Sequence, residues 1–184
     1  MYIATFFIAL ALLLVLWVIS TYNRMVKLRN LKEEGWSGID VQLKRRHDLV
    51  GNLVNTVKGY MAHERAVLEE VTSKRAESQK ASGIAASGAA EAGLSGALGR
   101  LFAVMENYPD LKANATVLEL QNSLNLLEHE LQMARRYYNG TVRDLNTLIQ
   151  TFPVNLVARQ FAFTQGEFFE LDNAAERQAP TVNF

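Results

Sequence analysis

The fold is constrained most by a stripe of residues that recurs at alternating steps of three and four between Trp36 and Val71. This spacing places the side chains along one face of an α-helix, and nine of the eleven members are apolar or aromatic. A face of this kind is buried against other helices. The members of this first apolar stripe are Trp36, Ile39, Leu43, Arg46, Val50, Leu53, Val57, Tyr60, Glu64, Val67 and Val71.

A second apolar stripe with the same steps follows later in the chain. Its members are Val117, Leu120, Leu124, Leu127, Leu131, Ala134, Tyr138, Thr141, Leu145, Leu148 and Phe152. Two stripes of this length need each other or further helices as partners. The sequence therefore predicts an all-α fold, in which an antiparallel up-and-down bundle contains three long or medium helices and a short fourth helix.

Helix breakers set the predicted boundaries. No strong breaker occurs between Ile19 and Lys80, so one helix is predicted to continue from a membrane anchor to Lys80, with Gly51 as the expected kink. Residues 81–93 are rich in glycine, alanine and serine, which predicts a flexible connection. The second predicted helix covers about residues 94–107. The third begins between Leu111 and Thr116, with a possible Thr116–Glu119 capping box, and ends at Pro153. A short fourth helix is capped by Thr164 and Glu167 and ends before Pro180.

The first residues of the chain have the composition of a membrane span. Residues 2–19 carry no charged side chain, and eighteen helical residues extend about 27 Å, close to the thickness of a bilayer core. A cleaved signal peptide is the alternative, but the chain lacks a basic segment before the apolar run and a small-residue cleavage site. We therefore predict an uncleaved transmembrane anchor in residues 1–21, formed mainly by Tyr2, Phe6, Phe7, Leu12, Leu14, Leu16, Trp17 and Ile19.

Basic residues follow this anchor directly. They are Arg24, Lys27, Arg29 and Lys32. Basic residues beside a membrane span are enriched on the cytoplasmic side, and they can also contact anionic lipid headgroups. The sequence therefore predicts a single-pass protein of the inner membrane, with its N-terminus outside and residues 22–184 forming a cytoplasmic helical bundle.

Several longer motifs give the chain a resemblance to a known family. They include Gly35-Trp36-Ser37-Gly38-Ile39-Asp40, Val57-Lys58-Gly59-Tyr60, Tyr108-Pro109-Asp110-Leu111 and Gln150-Thr151-Phe152-Pro153. With these motifs the chain resembles the LemA family over nearly its whole length, and it departs from the family at Gly51, where proline is usual. The resemblance implies a single-pass membrane protein with an antiparallel helical bundle, no established enzymatic activity and no catalytic residues. The resemblance also implies an association with membrane-stress or protease systems, in whose company members of the family are often found.

The sequence offers no motif for catalysis or for binding a metal or cofactor. The chain has no cysteine, which excludes thiolate metal sites. His47 and His63 lie about 24 Å apart along the predicted helix, too far to share a metal, and His129 is not part of a Glu-x-x-His motif. There is no phosphate-binding glycine loop, and the formal net charge is zero. We expect no enzymatic activity, no cofactor, no small-molecule substrate and no nucleic-acid partner.

Two charged residues interrupt the first apolar stripe, Arg46 and Glu64. A buried charge without a partner is costly. Either the stripe rotates so that both side chains lie at its edge, or each pairs with a residue on a neighbouring helix and fixes the register between helices. The sequence leaves both alternatives open.

The C-terminal region is rich in phenylalanine, and four of these residues are candidates for a functional surface. They are Phe161, Phe163, Phe168 and Phe169. One interpretation is that they plug one end of the bundle. The other is that they form an exposed docking surface for a membrane-protein partner.

The predicted first helix is longer than most of its predicted partners, so part of its stripe lacks cover near the membrane. The residues concerned are Met25, Leu28, Leu31 and Trp36. Exposed apolar patches usually meet another surface, which predicts a parallel homo-oligomer closed around this segment. The competing explanation is that the phenylalanines of the C-terminal region cover it.

A helical architecture without catalytic motifs favours a binding or scaffolding function. We expect a membrane-anchored helical scaffold or adaptor that associates with itself. The alternative is an accessory or regulatory partner of a membrane protease or membrane-stress system. A large homo-oligomer found alone would favour the scaffold, and a monomer that co-purifies with another protein would favour the accessory role.

Overall fold

The computed structural model describes residues 2–61 and 63–170, and within this part of the chain all regular secondary structure is helical. The all-α prediction is therefore confirmed. The helices are α1 (Tyr2–Val57), α2 (Arg65–Lys80), α3 (Ile84–Met105), α4 (Pro109–Ala113), α5 (Ala115–Gln150) and α6 (Val154–Gln160).

The chain divides into two compact units. The first comprises Met1–Gly38 and Ala134–Glu167, and the second comprises Ile39–Met133 and Phe168–Phe184. The long helices α1 and α5 each contribute residues to both units.

In the first unit, α1 packs against the C-terminal part of α5 and against α6. Met25 is fully buried in a cluster with Leu148, Val157 and Ala158. Farther along α1, the ring of Trp36 lies 5.8 Å from the ring of Tyr138, measured between centroids. The helices approach closely here because residue 35 is glycine: a Cβ atom at this position would lie 3.2 Å from the Cα of Tyr138.

The second unit contains the main hydrophobic core, to which both apolar stripes contribute. Its buried residues are Val50, Leu53, Val57, Met61, Leu68, Val71, Leu94, Ala97, Leu98, Leu101, Met105, Leu111, Val117 and Leu124. Within this unit α1 and α5 are antiparallel, since Arg45 contacts Glu130 while Tyr60, beyond the end of α1, contacts Asn114 before the start of α5.

The prediction of one helix as far as Lys80 is wrong, because α1 ends at Val57 and α2 begins at Arg65. Gly59, a residue with low helix propensity, lies in the intervening turn. The turn is stabilised by Met61, whose side chain is fully buried in the core. The first apolar stripe therefore ends at Val57, and Tyr60 is about half exposed.

Gly51, the residue expected to kink the first helix, lies within α1, which continues through it as a helix. After the turn, α2 folds back along α1, and a Cβ atom at position 51 would lie 3.1 Å from the guanidinium carbon of Arg75. Glycine at this position therefore provides space for the arginine of α2.

The connection predicted for residues 81–93 is mostly helical, so that prediction is wrong. Only three residues separate α2 from α3, which begins at Ile84 rather than near Leu94. Gly83 makes the turn with a φ of 89°, a conformation that other residues rarely adopt. The alanines that suggested a flexible segment are strong helix formers, and burial of one face of α3 stabilises them in a helix.

Two further predictions concern the ends of helices. The side-chain oxygen of Asn114, rather than that of Thr116, accepts hydrogen bonds from the first free backbone N–H groups of α5, those of Thr116 and Val117. The predicted fourth helix is wrong at its start, because residues 164–170 are not helical and α6 lies earlier. Its remaining part, with Pro180 and Phe184, lies outside the described residues.

The burial of the apolar stripes leads to a stability prediction. Leu53 is fully buried, so Leu53→Ala should lower the free energy of unfolding by about 2–5 kcal/mol because a cavity replaces packed methyl groups. Glu69→Ala, on the exposed side of α2, is the control and should change it by less than about 0.5 kcal/mol. Chemical denaturation in detergent measures both values. Equal effects of the two substitutions would contradict the assignment of the buried face.

Candidate functional site

The most unusual feature of the second unit is a carboxylate in its interior. Glu91 of α3 is fully buried and is surrounded by polar side chains from other helices. We define the Glu91 cluster as Arg46 and His47 of α1, Ser78 of α2, and Glu91 and Ser95 of α3. The first four of these side chains are less than one tenth exposed.

Both oxygens of the Glu91 carboxylate have partners. Oε2 accepts a hydrogen bond from Nη1 of Arg46 at 2.9 Å. Oε1 lies 2.8 Å from Nε2 of His47 and also accepts a hydrogen bond from the hydroxyl of Ser78. Because a carboxylate only accepts hydrogen bonds, this arrangement places a proton on Nε2 of His47.

The cluster extends to the surface and to a fourth helix through Arg46. Its Nη2 atom donates to the hydroxyl of Ser95 at 2.8 Å and lies 3.2 Å from Oε2 of Glu128 on α5. A second arginine, Arg75 of α2, donates to the backbone carbonyl of His47 at 2.6 Å. Four helices of the unit are therefore joined through one group of polar contacts.

The electrostatics of the cluster favour an ionised Glu91. Burial raises the pKa of this carboxyl group, but the hydrogen bonds from His47 and Ser78 and the positive charge of Arg46 outweigh that effect. The net result is a pKa below the ordinary value of 4.5. A buried, ionised carboxylate with a buried guanidinium is stable only while the pair remains intact.

The geometry of the cluster differs from that of a nucleophilic triad. In such a triad the carboxylate and the serine contact opposite nitrogens of the imidazole ring. Here Nε2 of His47 contacts both Glu91 and Ser78, and Ser78 is buried. Among the described residues, no group of three histidine, aspartate or glutamate side chains is arranged to hold a metal ion. The contacts suit a structural role, in which the cluster fixes the register of the helices.

For Arg46, the structure favours the alternative in which the charged residue pairs with a residue on a neighbouring helix and fixes the register between helices. Its side chain is buried and paired with residues of neighbouring helices. Glu64 instead lies in the turn after α1, is partly exposed and accepts a hydrogen bond from the hydroxyl of Tyr108 at 3.2 Å. The partners of Arg46 were not found from the sequence, because Glu91 lies in the stretch that was interpreted as a flexible connection.

The predicted anchor residues all lie in the N-terminal part of α1, and all are exposed. They are Tyr2, Phe6, Phe7, Leu12, Leu14, Leu16, Trp17 and Ile19. Among the described residues, α1 is the one helix whose length and composition would allow it to cross a membrane. Of the basic residues that follow, Arg24, Lys27 and Arg29 are exposed, and the guanidinium carbon of Arg29 lies 5.6 Å from the centre of the Phe163 ring.

The segment predicted to mediate self-association is largely covered within the chain. Met25 is fully buried, and Leu28, Leu31 and Trp36 are partly buried. The expected uncovered patch is therefore absent from this part of α1. The residues that cover this segment belong to α5 and α6 and include Phe163. This agrees in part with the competing explanation, in which phenylalanines of the C-terminal region cover the segment.

The four phenylalanines proposed for docking are divided between the two units, two in each. In the first unit, Phe161 and Phe163 pack against Tyr22, with ring centroids 4.9 and 5.7 Å away. In the second unit, Phe169 is buried and Phe168 is 44% exposed. Phe161 also remains about half exposed. Phe163 and Phe169 are therefore partly or fully buried, while Phe161 and Phe168 are exposed, and both uses that the sequence suggested remain predictions.

Comparison with known proteins places the chain in a family. The model of the LemA family matches residues 35–184, which include most of α1 beyond the membrane-proximal segment and all later helices. The chain belongs to the LemA family. The resemblance noted in the sequence is thereby confirmed.

Curated relatives of this LemA family chain include magnetosome proteins. It is 27% identical over 175 residues to magnetosome protein MamQ 2 of Paramagnetospirillum magneticum, covering 81% of this chain. It is also 26% identical over 175 residues to magnetosome protein MamQ of Magnetospirillum gryphiswaldense, covering 80% of this chain. A further relative is protein LemA of Metamycoplasma hominis, with 27% identity over 143 residues and 75% of this chain. The chain spans 64% of the length of each of these relatives.

The Glu91 cluster leads to a prediction for this LemA family protein. Glu91→Gln removes a buried negative charge opposite Arg46 and should lower the free energy of unfolding at neutral pH by about 3 kcal/mol. Because folding lowers the pKa of Glu91, its stabilisation is complete above pH 4.5 and is lost as the pH falls through the folded-state pKa. The variant should therefore show a weaker loss of stability in acid than the wild type. Denaturation at several pH values measures this.

The matched control is Glu70→Gln, which alters an exposed ion pair between Glu70 and Arg100. Exposed pairs contribute little, so this variant should resemble the wild type in both stability and pH dependence. Identical acid dependence in the Glu91→Gln variant and the wild type would contradict the assignment of an ionised Glu91.

Proposed function

We propose that this protein is a single-pass, membrane-anchored helical scaffold that binds other proteins, including further copies of itself, and carries out no chemical reaction. The helical units beyond the anchor lie in the cytoplasm, and the N-terminus lies on the outer side of the inner membrane. Membership of the LemA family and the candidate membrane span of α1 both support a membrane-associated role.

The observation that carries the proposal is the division of α1 into two environments. Up to Ile19 its large apolar side chains are exposed, while from Ile39 to Val57 its apolar stripe is buried in the second unit. A long, continuous apolar surface is unfavourable in water and favourable in a bilayer. One helix thus serves as anchor and as part of a folded core, so the folded units are tethered to the membrane without an intervening flexible linker.

The charges next to the anchor support the proposed orientation. Arg24, Lys27 and Arg29 lie on exposed positions of α1 within ten residues of Ile19. Their side chains would remain in water or among headgroups, and the preference of such residues for the cytoplasmic side favours the proposed topology.

The hydrogen bonds of the buried polar side chains support the proposed absence of a catalytic role. The most prominent buried polar residues, Arg46, His47 and Glu91, are bonded to one another or to adjacent serines. A catalytic group needs access to a substrate, whereas these groups are enclosed by helices. A scaffold instead needs a defined arrangement of helices, which the buried contacts between α1, α2 and α3 support.

Membrane extraction and a reporter fusion test this function. The full chain should remain in the membrane fraction after an alkaline wash. A reporter enzyme that works only in the cytoplasm should be active when it is fused after Phe184, and one that works only outside the cytoplasm should be inactive. Replacing Arg24, Lys27, Arg29 and Lys32 together by glutamine should weaken this preference, because the positive-inside signal is lost. Replacing Lys44, Arg65, Lys74 and Lys80 in the same way is the control and should leave the topology unchanged.

Two outcomes would contradict the proposal. Release of the chain by the alkaline wash would exclude the anchor. A C-terminal reporter that is active only outside the cytoplasm would exclude the orientation.

A further inference from the structure

The end of α5 and the helix after it lie next to the candidate membrane span. In the first unit α5 runs antiparallel to α1, since Gly35 lies against Tyr138, and ten residues earlier on α1 Met25 shares a buried cluster with Leu148 of α5. Each later residue of α5 therefore lies about 1.5 Å closer to the anchor. We define the α6 tip as residues 151–162, which comprise the turn after α5, helix α6 and the two residues that follow it.

The α6 tip contacts α1 within the apolar segment that could cross a membrane. Val18 packs against the buried cluster that includes Val157 and Ala158 of α6. Val18 belongs to the uncharged stretch of residues 2–19. With this stretch in the bilayer, the tip lies at the level where the apolar part of the membrane ends.

Directly after the tip, the chain runs away from the anchor again. Phe161 packs against Tyr22, with ring centroids 4.9 Å apart. Five residues later, a Cβ atom at Gly166 would lie 3.0 Å from Cδ of Lys32, which is ten residues farther from the anchor than Tyr22. The α6 tip is therefore the membrane-proximal end of the segments that pack against α1 in the first unit.

Exposed apolar side chains are concentrated in this tip. Phe152, Leu156 and Phe161 are 75%, 60% and 49% exposed, respectively. Among residues 134–167, all of which the structure describes, Tyr137 is the one other large apolar residue that is exposed. Three such side chains within ten residues are unfavourable in water, and contact with lipid removes them from it.

The charge of the tip also suits a lipid surface. Residues 145–166 contain Arg159 as their one charged side chain. On α6, Leu156 and Arg159 are exposed on the side roughly opposite Val157 and Ala158, which are buried. A leucine beside an arginine is typical of a helix in a membrane interface, where the leucine enters the acyl boundary and the guanidinium group stays among the headgroups.

We propose that the α6 tip inserts into the interface of the same bilayer that holds the anchor. Phe152, Leu156 and Phe161 lie at the boundary of the acyl chains, and Arg159 lies beside the lipid phosphates. This inference rests on the proposed membrane anchoring. The first unit then has two membrane contacts, the span of α1 and the tip, so it keeps a defined orientation to the bilayer and does not pivot about a single helix.

Fluorescence quenching by lipid tests the contact in the full chain, reconstituted in vesicles. The natural chain has no cysteine, so Leu156→Cys can carry a single fluorophore. Lipids with bromine atoms on their acyl chains should quench it at least about threefold more than the same fluorophore on Leu126→Cys. Leu126 is the matched control because it is also 60% exposed, and it lies roughly 36 Å of helix before Gln150, the end of α5.

Two results of this experiment would overturn the proposal. One is equal quenching at the two positions. The other is protection of Leu156→Cys from a water-soluble thiol reagent in native membranes without quenching by lipid in vesicles of the purified chain, because another protein would then cover the tip.

A charge substitution tests whether the apolar side chains make the contact. With the fluorophore on Gln160→Cys, an exposed position of α6, the added substitutions Phe152→Glu and Leu156→Glu should lower quenching by lipid about threefold, because carboxylates are unfavourable among acyl chains. The matched control adds Leu118→Glu and Leu126→Glu, at two exposed leucines of α5, and should leave the quenching unchanged. Unchanged quenching in the first variant, with the helical content of the wild type by circular dichroism, would contradict the role assigned to these side chains.

A fluorophore on Leu12→Cys, within the anchor, separates this inference from the proposed function. Absence of quenching at residue 12 would contradict the anchor, and the insertion of the tip with it. Strong quenching at residue 12 with none at residue 156 would contradict only the insertion of the tip.

Discussion

The ionised carboxylate of Glu91 is the constraint on which the second unit depends. A buried charge must keep its partners, and these come from α1 and α2, while Arg46 extends the contacts to Glu128 of α5. Apolar packing alone would tolerate small rotations or shifts of the helices, because many arrangements bury similar areas. The hydrogen bonds of Glu91 and Arg46 require particular distances, so they select one register.

The sequence was sufficient to predict those features that depend on periodicity. The stripe from Ile39 to Val57 and most of the stripe from Val117 to Leu148 are buried as expected, because three–four spacing determines which side of a helix is apolar. The LemA motifs and the exposed apolar start of α1 were also recognisable. Periodicity does not reveal where a helix ends when only a glycine marks the break, as at Gly59. That end depends on burial of Met61, a tertiary contact.

The Glu91 cluster could be predicted only in part. Arg46 on an apolar stripe signalled that a partner was needed, but the identity of that partner depends on which helices meet. Glu91 is embedded among alanines and glycines, a composition shared by flexible segments and by closely packed helices. The uncovered surface was expected near Met25 because the predicted first helix extended to Lys80 and was longer than most of its predicted partners. The structure covers Met25 with Leu148 and α6, and leaves Leu118, Leu126 and Met133 of α5 exposed instead.

A double-mutant cycle between Arg46 and Glu91 tests the role of the cluster most directly. Arg46→Met and Glu91→Leu should each destabilise the protein strongly, because each leaves a buried charge without its main partner. The double variant should be more stable than the sum of the single effects predicts, since both charges are removed together. A coupling free energy above about 1 kcal/mol, measured by chemical denaturation in detergent, is the expected result. Additive effects would contradict the conclusion that this pair fixes the register of the helices.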